Sequence, residues 1–184
     1  MNVYDFDKTI YDGDSSVDFT LYAFKKHPKV ASVVPKQISA LARYKRNKIT
    51  KTHMKEVMFS YLELLSDSEN LIEDFWRHHS RKIKNFYLKQ KQENDVIISA
   101  SPKFLLAPIC KELGVNKLIA SEVDINTGQF LGENCYGEEK VKRFKNIFSN
   151  DKIDEFYSDS YSDSPLAEIS KHAFIVKGSK IEKW

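Results

Sequence analysis

The chain has 184 residues and a formal charge of +3, is 41% hydrophobic and 30% charged, and contains only six Gly and five Pro. Such values fit one α/β domain, or a compact core with a smaller insert, and exclude disordered, collagen-like and low-complexity classes. Two cysteines, Cys110 and Cys135, are too few for a disulfide scaffold, and charge appears at Asp5 before any apolar stretch develops, so the expectation is a cytoplasmic protein with no signal peptide and no membrane span.

Asn2–Phe6 reads as a first strand. A helical region follows. Helices are expected over Ser16–Lys26 and Val30–Arg46, parted at His27-Pro28 because a residue before proline is pushed out of the helical basin. Met54, Val57, Met58, Tyr61, Leu62 and Leu65 recur at helical spacing, as do Leu71, Ile72, Phe75, Trp76, His79, Ile83, Phe86 and Tyr87; Asp67 or Ser68 is the expected cap of the second run. Strands are then expected at Asp95–Ser99, Lys117–Asp124, Glu155–Ser158 and His172–Lys177. They alternate with helices over Pro102–Leu113 and Glu138–Phe148 and another after Pro165. Asn126-Thr127-Gly128 suggests a small hairpin between Glu122–Asp124 and Gln129–Leu131. This alternation predicts a doubly wound α/β core with a parallel Rossmann-like sheet, made of residues 1–14 and 93–184 and interrupted by an all-helical insert over residues 15–92.

Charge follows the same division. Residues 15–92 hold 16 Lys/Arg against 7 Asp/Glu, and Lys25–Lys55 contains ten basic residues and no acidic one; the remainder of the chain is net acidic. A basic run that includes Arg43, Lys45, Arg46, Lys48, Lys51 and Lys55 could bind nucleic acid or an anionic membrane surface. The commoner meaning of such a run is a solvated helix face, so nucleic acid is not the expected partner.

Asp5-Phe6-Asp7-Lys8-Thr9 places two carboxylates where the first strand ends, the edge at which open α/β sheets bind ligands. Tyr157-Ser158-Asp159-Ser160-Tyr161-Ser162-Asp163 brings Asp159 and Asp163 to the same edge. Four acidic groups there call for a cation, and an oxygen-only donor set suits Mg²⁺. An EF-hand is excluded because Ile10 occupies the position that needs Gly. Val96–Pro102 delivers Ser99 to a helix start, which suits a bound phosphate or a simple cap. Lys140 sits in a helix first turn, against the dipole, and so calls for an anion or some other reason to stand there. No Gly-x-Ser-x-Gly appears, and the five His form no metal-binding pair.

These four segments, in this order and spacing, resemble the haloacid dehalogenase superfamily of aspartyl-phosphate phosphotransferases, and within it the phosphoserine-phosphatase-like branch with a helical cap. The resemblance implies a phosphatase acting on a small phosphorylated metabolite. Asp5 would be the nucleophile, Asp7 the general acid and base, and Ser99 and Lys140 the phosphate holders, with Thr9 supporting the first loop. It further implies Mg²⁺ held by Asp5, the Asp7 main chain and Asp159, with Asp163 as ligand or neighbour. Asp14 stands where phosphoserine phosphatases place a Glu that holds the substrate amine; it either contacts substrate or caps the following helix. The alternative function is an anion-binding protein that uses the basic helices while its phosphatase chemistry is weak or vestigial. Oligomeric state is left open.

Overall fold

The structure is a computed structural model that describes residues 1–149 and 152–184. A mostly parallel six-stranded sheet forms its centre. Its strands are β1 (Asn2–Tyr4), β2 (Val96–Pro102), β3 (Lys117–Ser121), β4 (Ile153–Ser158), β5 (Ser170–Lys177) and β6 (Lys180–Lys183). They lie in the order β3-β2-β1-β4-β5-β6, with only β6 antiparallel. Strand β6 has no counterpart among the expected elements. It is short, exposed and charged, so it shows none of the apolar alternation by which strands are recognised.

Side chains leave alternate faces of a strand, and the apolar core divides accordingly. Tyr4 and Ile97 enter one cluster, while Val3, Val96 and Ile98 enter another on the opposite face. On the first face Tyr4 stacks on Tyr157 at 4.8 Å and Tyr157 on Phe174 at 4.9 Å, a ladder across β1, β4 and β5. Helices α6 (Lys103–Glu112), α7 (Glu138–Ile147) and α8 (Ser164–Glu168) complete the layers.

Between β1 and β2 run α1 (Ser15–Lys26), α2 (Val34–Lys45), α3 (Lys51–Phe59), α4 (Ser68–His79) and α5 (Asn85–Gln90). The long helices expected here are broken by 3-10 turns at Pro28–Val33, Ser60–Leu64 and Ser80–Lys82, which continue the apolar spacing but tighten the winding. Asp67 caps α4 by accepting the Asn70 amide. These helices share the Tyr4-side core rather than building a separate one: Phe19, Tyr61, Phe75 and Trp76 lie in one cluster with Leu105, Leu106 and Ile109 of α6. The Trp76 indole donates to the Leu105 carbonyl at 2.6 Å, which ties α4 to α6.

A second tie comes from the predicted hairpin. Its turn forms, with Asp124 N–H bonded to the Gln129 carbonyl and Leu131 N–H to the Glu122 carbonyl, both at 2.9 Å. The pairing amounts to a single bridge, Val123 to Phe130, and β3 stops at Ser121. Gly128 is at φ +73°, where a Cβ would come within 2.6 Å of the Phe59 carbonyl oxygen, so only glycine allows this loop to meet the end of α3. No described helix is long and apolar enough to cross a membrane.

Candidate active site

The carboxyl ends of β1, β2 and β4 meet where the strand order reverses around β1, and a cleft of about 750 Å³ opens there. Asp5 follows β1 directly, and its amide still pairs with the Tyr157 carbonyl at 2.9 Å. The chain then coils, with the Ile10 and Tyr11 amides both on the Phe6 carbonyl at 3.0 Å. Lys8 holds a left-handed φ of 57°, which a lysine adopts only when its surroundings impose it; its amide bonds the Gly13 carbonyl at 2.8 Å.

Asp5, Lys140 and Asp163 are each less than 8% exposed. Lys140 Nζ donates to Asp5 Oδ1 at 2.8 Å and to Asp163 Oδ2 at 2.7 Å, and Ser158 Oγ donates to the same Asp163 oxygen at 2.8 Å. The anion at Lys140, at the start of α7, is thus a pair of carboxylates, Asp5 just after β1 and Asp163 at the N-cap of α8. Burial works against the Lys140 ammonium, but Asp5 and Asp163 outweigh it and hold its pKa above the ordinary lysine value. Burial pushes Asp5 the other way, up to about 7, with Lys140 opposing and Asp163 reinforcing the rise. Thr9 Oγ1 reaches Asp5 Oδ2 at 3.3 Å.

Asp7 stands apart from this triad. Its Oδ1 accepts the Ser15 amide at 2.6 Å, at the start of α1, and its Oδ2 accepts the Ser101 hydroxyl at 2.5 Å. Burial raises Asp7 to about 6, helped by the Asp14 charge. Its protonated form is therefore available in the range where an ordinary aspartate is fully ionised. Asp14 caps α1 by accepting the Val17 amide at 3.1 Å, and it also lines the cleft.

Ser99 lies on the cleft floor and its Oγ accepts the Ser101 amide at 3.1 Å. Pro102, expected as the first helical residue, instead ends β2 and stands at the N-cap of α6, which has no side-chain cap. Asp159 lines the cleft. Burial raises its carboxyl above the ordinary value against the pull of Lys8.

Sequence reasoning missed three polar groups here. Ser101 is two residues from Ser99 and so on the same strand face, a signal available in the sequence. The other two, Lys55 and Asn134, were not legible: Lys55 looked like one more base in a basic run. Its Nζ crosses from α3 to the Ala100 carbonyl at 2.8 Å and to Asn134 Oδ1 at 3.0 Å. Burial, with Lys51 alongside, brings its pKa down to about 8.

Ser101→Ala removes a hydrogen bond that favours ionised Asp7. The variant is expected to lose about tenfold in kcat, part of the roughly 10²- to 10⁴-fold that a positioned acid supplies, and to show the Asp7 limb of its pH–rate profile at higher pH. Steady-state kinetics across pH checks both.

Among the described residues, no three His, Cys, Asp or Glu side chains converge closely enough to make a ready-built metal cage. The convergence of four carboxylates expected from sequence is resolved differently, because the Lys140 ammonium neutralises Asp5 and Asp163. Mg²⁺ does not need a cage, since it binds through one or two carboxylates, waters and substrate phosphate. The donors fit that chemistry: all are oxygens, Asp159 lines the cleft, and Asp163 Oδ1 is buried with no partner among the described residues.

A family model for haloacid dehalogenase-like hydrolases matches residues 3–168. The chain belongs to that family. A probable phosphatase of Mycobacterium tuberculosis H37Rv is 31% identical to this hydrolase over 88 residues, 44% of the chain and 31% of the relative, so the match spans about a third of that relative's length. A protein of unknown function from Bordetella pertussis Tohama I superposes with a TM-score of 0.76 at 23% identity, covering 94% of the hydrolase and 87% of that chain. A phosphoserine phosphohydrolase-like protein from Francisella tularensis superposes with a TM-score of 0.57 at 16% identity, covering 94% and 86%. These likenesses establish the fold.

Proposed function

We propose that the hydrolase is a Mg²⁺-dependent phosphomonoester phosphatase that works through an aspartyl-phosphate on Asp5. The observation that carries this reading is the buried Lys140 ammonium, held between Asp5 and Asp163, with a second carboxyl, Asp7, on the same cleft and also raised above the ordinary aspartate value. A carboxylate can approach a phosphate dianion only where cations neutralise it, and a bound Mg²⁺ would add to that neutralisation. The Asp5 carboxylate, the Asp7 main chain and Asp159 would hold the ion, with Asp163 beside them.

In this mechanism an Asp5 oxygen bonds to phosphorus as the ester P–O bond breaks, and protonated Asp7 gives its proton to the leaving alcohol oxygen. Ionised Asp7 then takes a proton from water as the water attacks phosphorus, releasing inorganic phosphate and restoring Asp5. Ser99 and Lys140 hold phosphoryl oxygens, and the Thr9 hydroxyl steadies Asp5. Residues 15–92 act as a cap over a core of residues 1–14 and 93–184, and the cap contributes substrate choice. The names of the relatives support the phosphatase class. The reading as an anion-binding protein loses ground because Lys55 is turned inward and Lys51 Nζ sits 3.3 Å from the Tyr136 ring centre.

Release of inorganic phosphate from a phosphomonoester panel tests the proposal. The expected result is turnover with Mg²⁺, a loss of at least about 100-fold in EDTA, and recovery when Mg²⁺ is restored. Undiminished turnover in EDTA overturns the metal assignment, and no release from any ester overturns the phosphatase reading.

A further inference from the structure

The cleft has two chemically different walls. Its floor is the charged group just described, whereas the side built from the helices between β1 and β2 is apolar. Val17, Leu21 and Phe24 of α1 and Met54, Met58 and Phe59 of α3 line it. Val17, Leu21 and Phe24 recur at four- and three-residue steps and Met54 and Met58 lie four apart, so each helix presents one apolar stripe, with Phe59 at the end of α3 beside it.

On the α1 stripe only Phe24 packs against the core; Val17 and Leu21 do not serve it. Phe19 and Ala23 fill the core, while Val17 and Leu21 remain 52% and 61% exposed on the cleft. Apolar side chains left open to water beside a catalytic floor are the usual mark of a ligand surface.

Most polar groups of the same wall are already engaged, Asp14 through Oδ1 and Lys51 against the Tyr136 ring. The Thr20 hydroxyl donates to the Ser16 carbonyl and the Gln37 amide to the Met58 carbonyl, each at 2.8 Å. Asp14 holds the Val17 amide, and Lys55 holds Ala100 and Asn134. A substrate body carrying an amine, a carboxylate or several hydroxyls would lose water against this wall and find these groups already bonded.

Resting on the phosphatase reading, we infer that the substrate is an amphiphilic phosphomonoester: its phosphate lies on the Asp5–Lys140 floor and a hydrocarbon chain lies along the α1–α3 wall. The chain-bearing alcohol is the leaving group, with its oxygen taking the Asp7 proton. Small polar phosphoesters would use the floor alone and so be turned over with low kcat/KM.

The test uses the full chain with Mg²⁺ and n-alkyl phosphates from ethyl to octyl, below their micelle concentrations, with phosphoserine and glycerol phosphate alongside. The expected result is a kcat/KM that rises about threefold per added methylene, and a smaller rise in Leu21→Gln and in Val17→Ser. A kcat/KM independent of chain length, or a preference for phosphoserine, overturns this inference and leaves the phosphatase reading intact. No hydrolysis of any ester overturns the phosphatase reading instead. Calorimetric affinities of the non-hydrolysable n-alkylphosphonates then decide the apolar site without turnover. A threefold gain per methylene supports it and a flat series overturns it.

Discussion

Asp5→Asn is expected to reduce kcat by at least about a thousandfold and to make the melting temperature of the metal-free protein climb relative to wild type as pH rises from about 4 to about 7. The activity loss follows from removing the atom proposed to bond phosphorus, since an amide is a poor nucleophile at the same position. The pH-dependent change follows from the environment of Asp5. Burial raises its pKa from 3.8 to about 7, so the folded chain binds a proton there that the unfolded chain has released. Ionising a carboxyl whose folded pKa is raised costs stability, and this cost is absent below about pH 4, grows with pH and levels off above about 7. Asparagine never ionises. The melting difference between variant and wild type in EDTA should therefore be smallest near pH 4, widen up to about pH 7 and then stay constant. Calorimetric scans at several pH values check the trend, and a variant-minus-wild-type difference that stays flat or falls between about pH 4 and about pH 8 contradicts it.

Lys140→Met lowers stability outright. It leaves Asp5 and Asp163 buried and facing one another without their shared cation, and breaking such a group by removing one partner costs about 3–5 kcal/mol. Phosphate turnover should fall by about 10²- to 10³-fold, the usual cost of losing a preorganised charge at a reacting oxygen. The deficit should shrink as the solution is acidified and Asp5 takes up a proton. Lys140→Met combined with Asp163→Asn removes one of the stranded charges, so denaturant unfolding should show partial recovery of stability while activity stays low. Recovery of activity in the double variant would show that Lys140 serves the fold alone.

Much of this was legible because the informative residues are local. Apolar spacing placed the helices between β1 and β2, the strand–helix alternation announced the sheet, and Asp5-x-Asp7, Ser99, Lys140 and Asp159 stood at strand ends or helix starts where local chemistry marks them. Even the oddity of a lysine in the first turn of α7 was visible as a demand for an anion. Which anion answered it was not, because Asp5 and Asp163 lie 135 and 23 residues away and only the strand order brings them to the same ammonium. Lys55 is the clearer case. In the sequence it belongs to a run of ten bases, and in the fold it leaves the solvent to bind the backbone beside Ser99, which turns a charge pattern into a contact between two regions of the chain.

Asp14 shows the same limit at shorter range, where a helix cap and a cleft residue proved to be one side chain. The strand β6 and the apolar wall of the cleft were beyond reach for a different reason. Periodicity reports that a helix has an apolar face, but α1 has two, and only packing separates Phe19 and Ala23, which are covered, from Val17 and Leu21, which are not. The +3 of the whole chain conceals a basic helical segment and an acidic remainder, and that separation could be read from residue order alone. How those charges are spent depends on distances between residues far apart in the chain. Hydrophobic spacing is set by neighbours along the backbone, whereas the neutralisation of a buried carboxylate is set by whatever the fold places within about 3 Å of it.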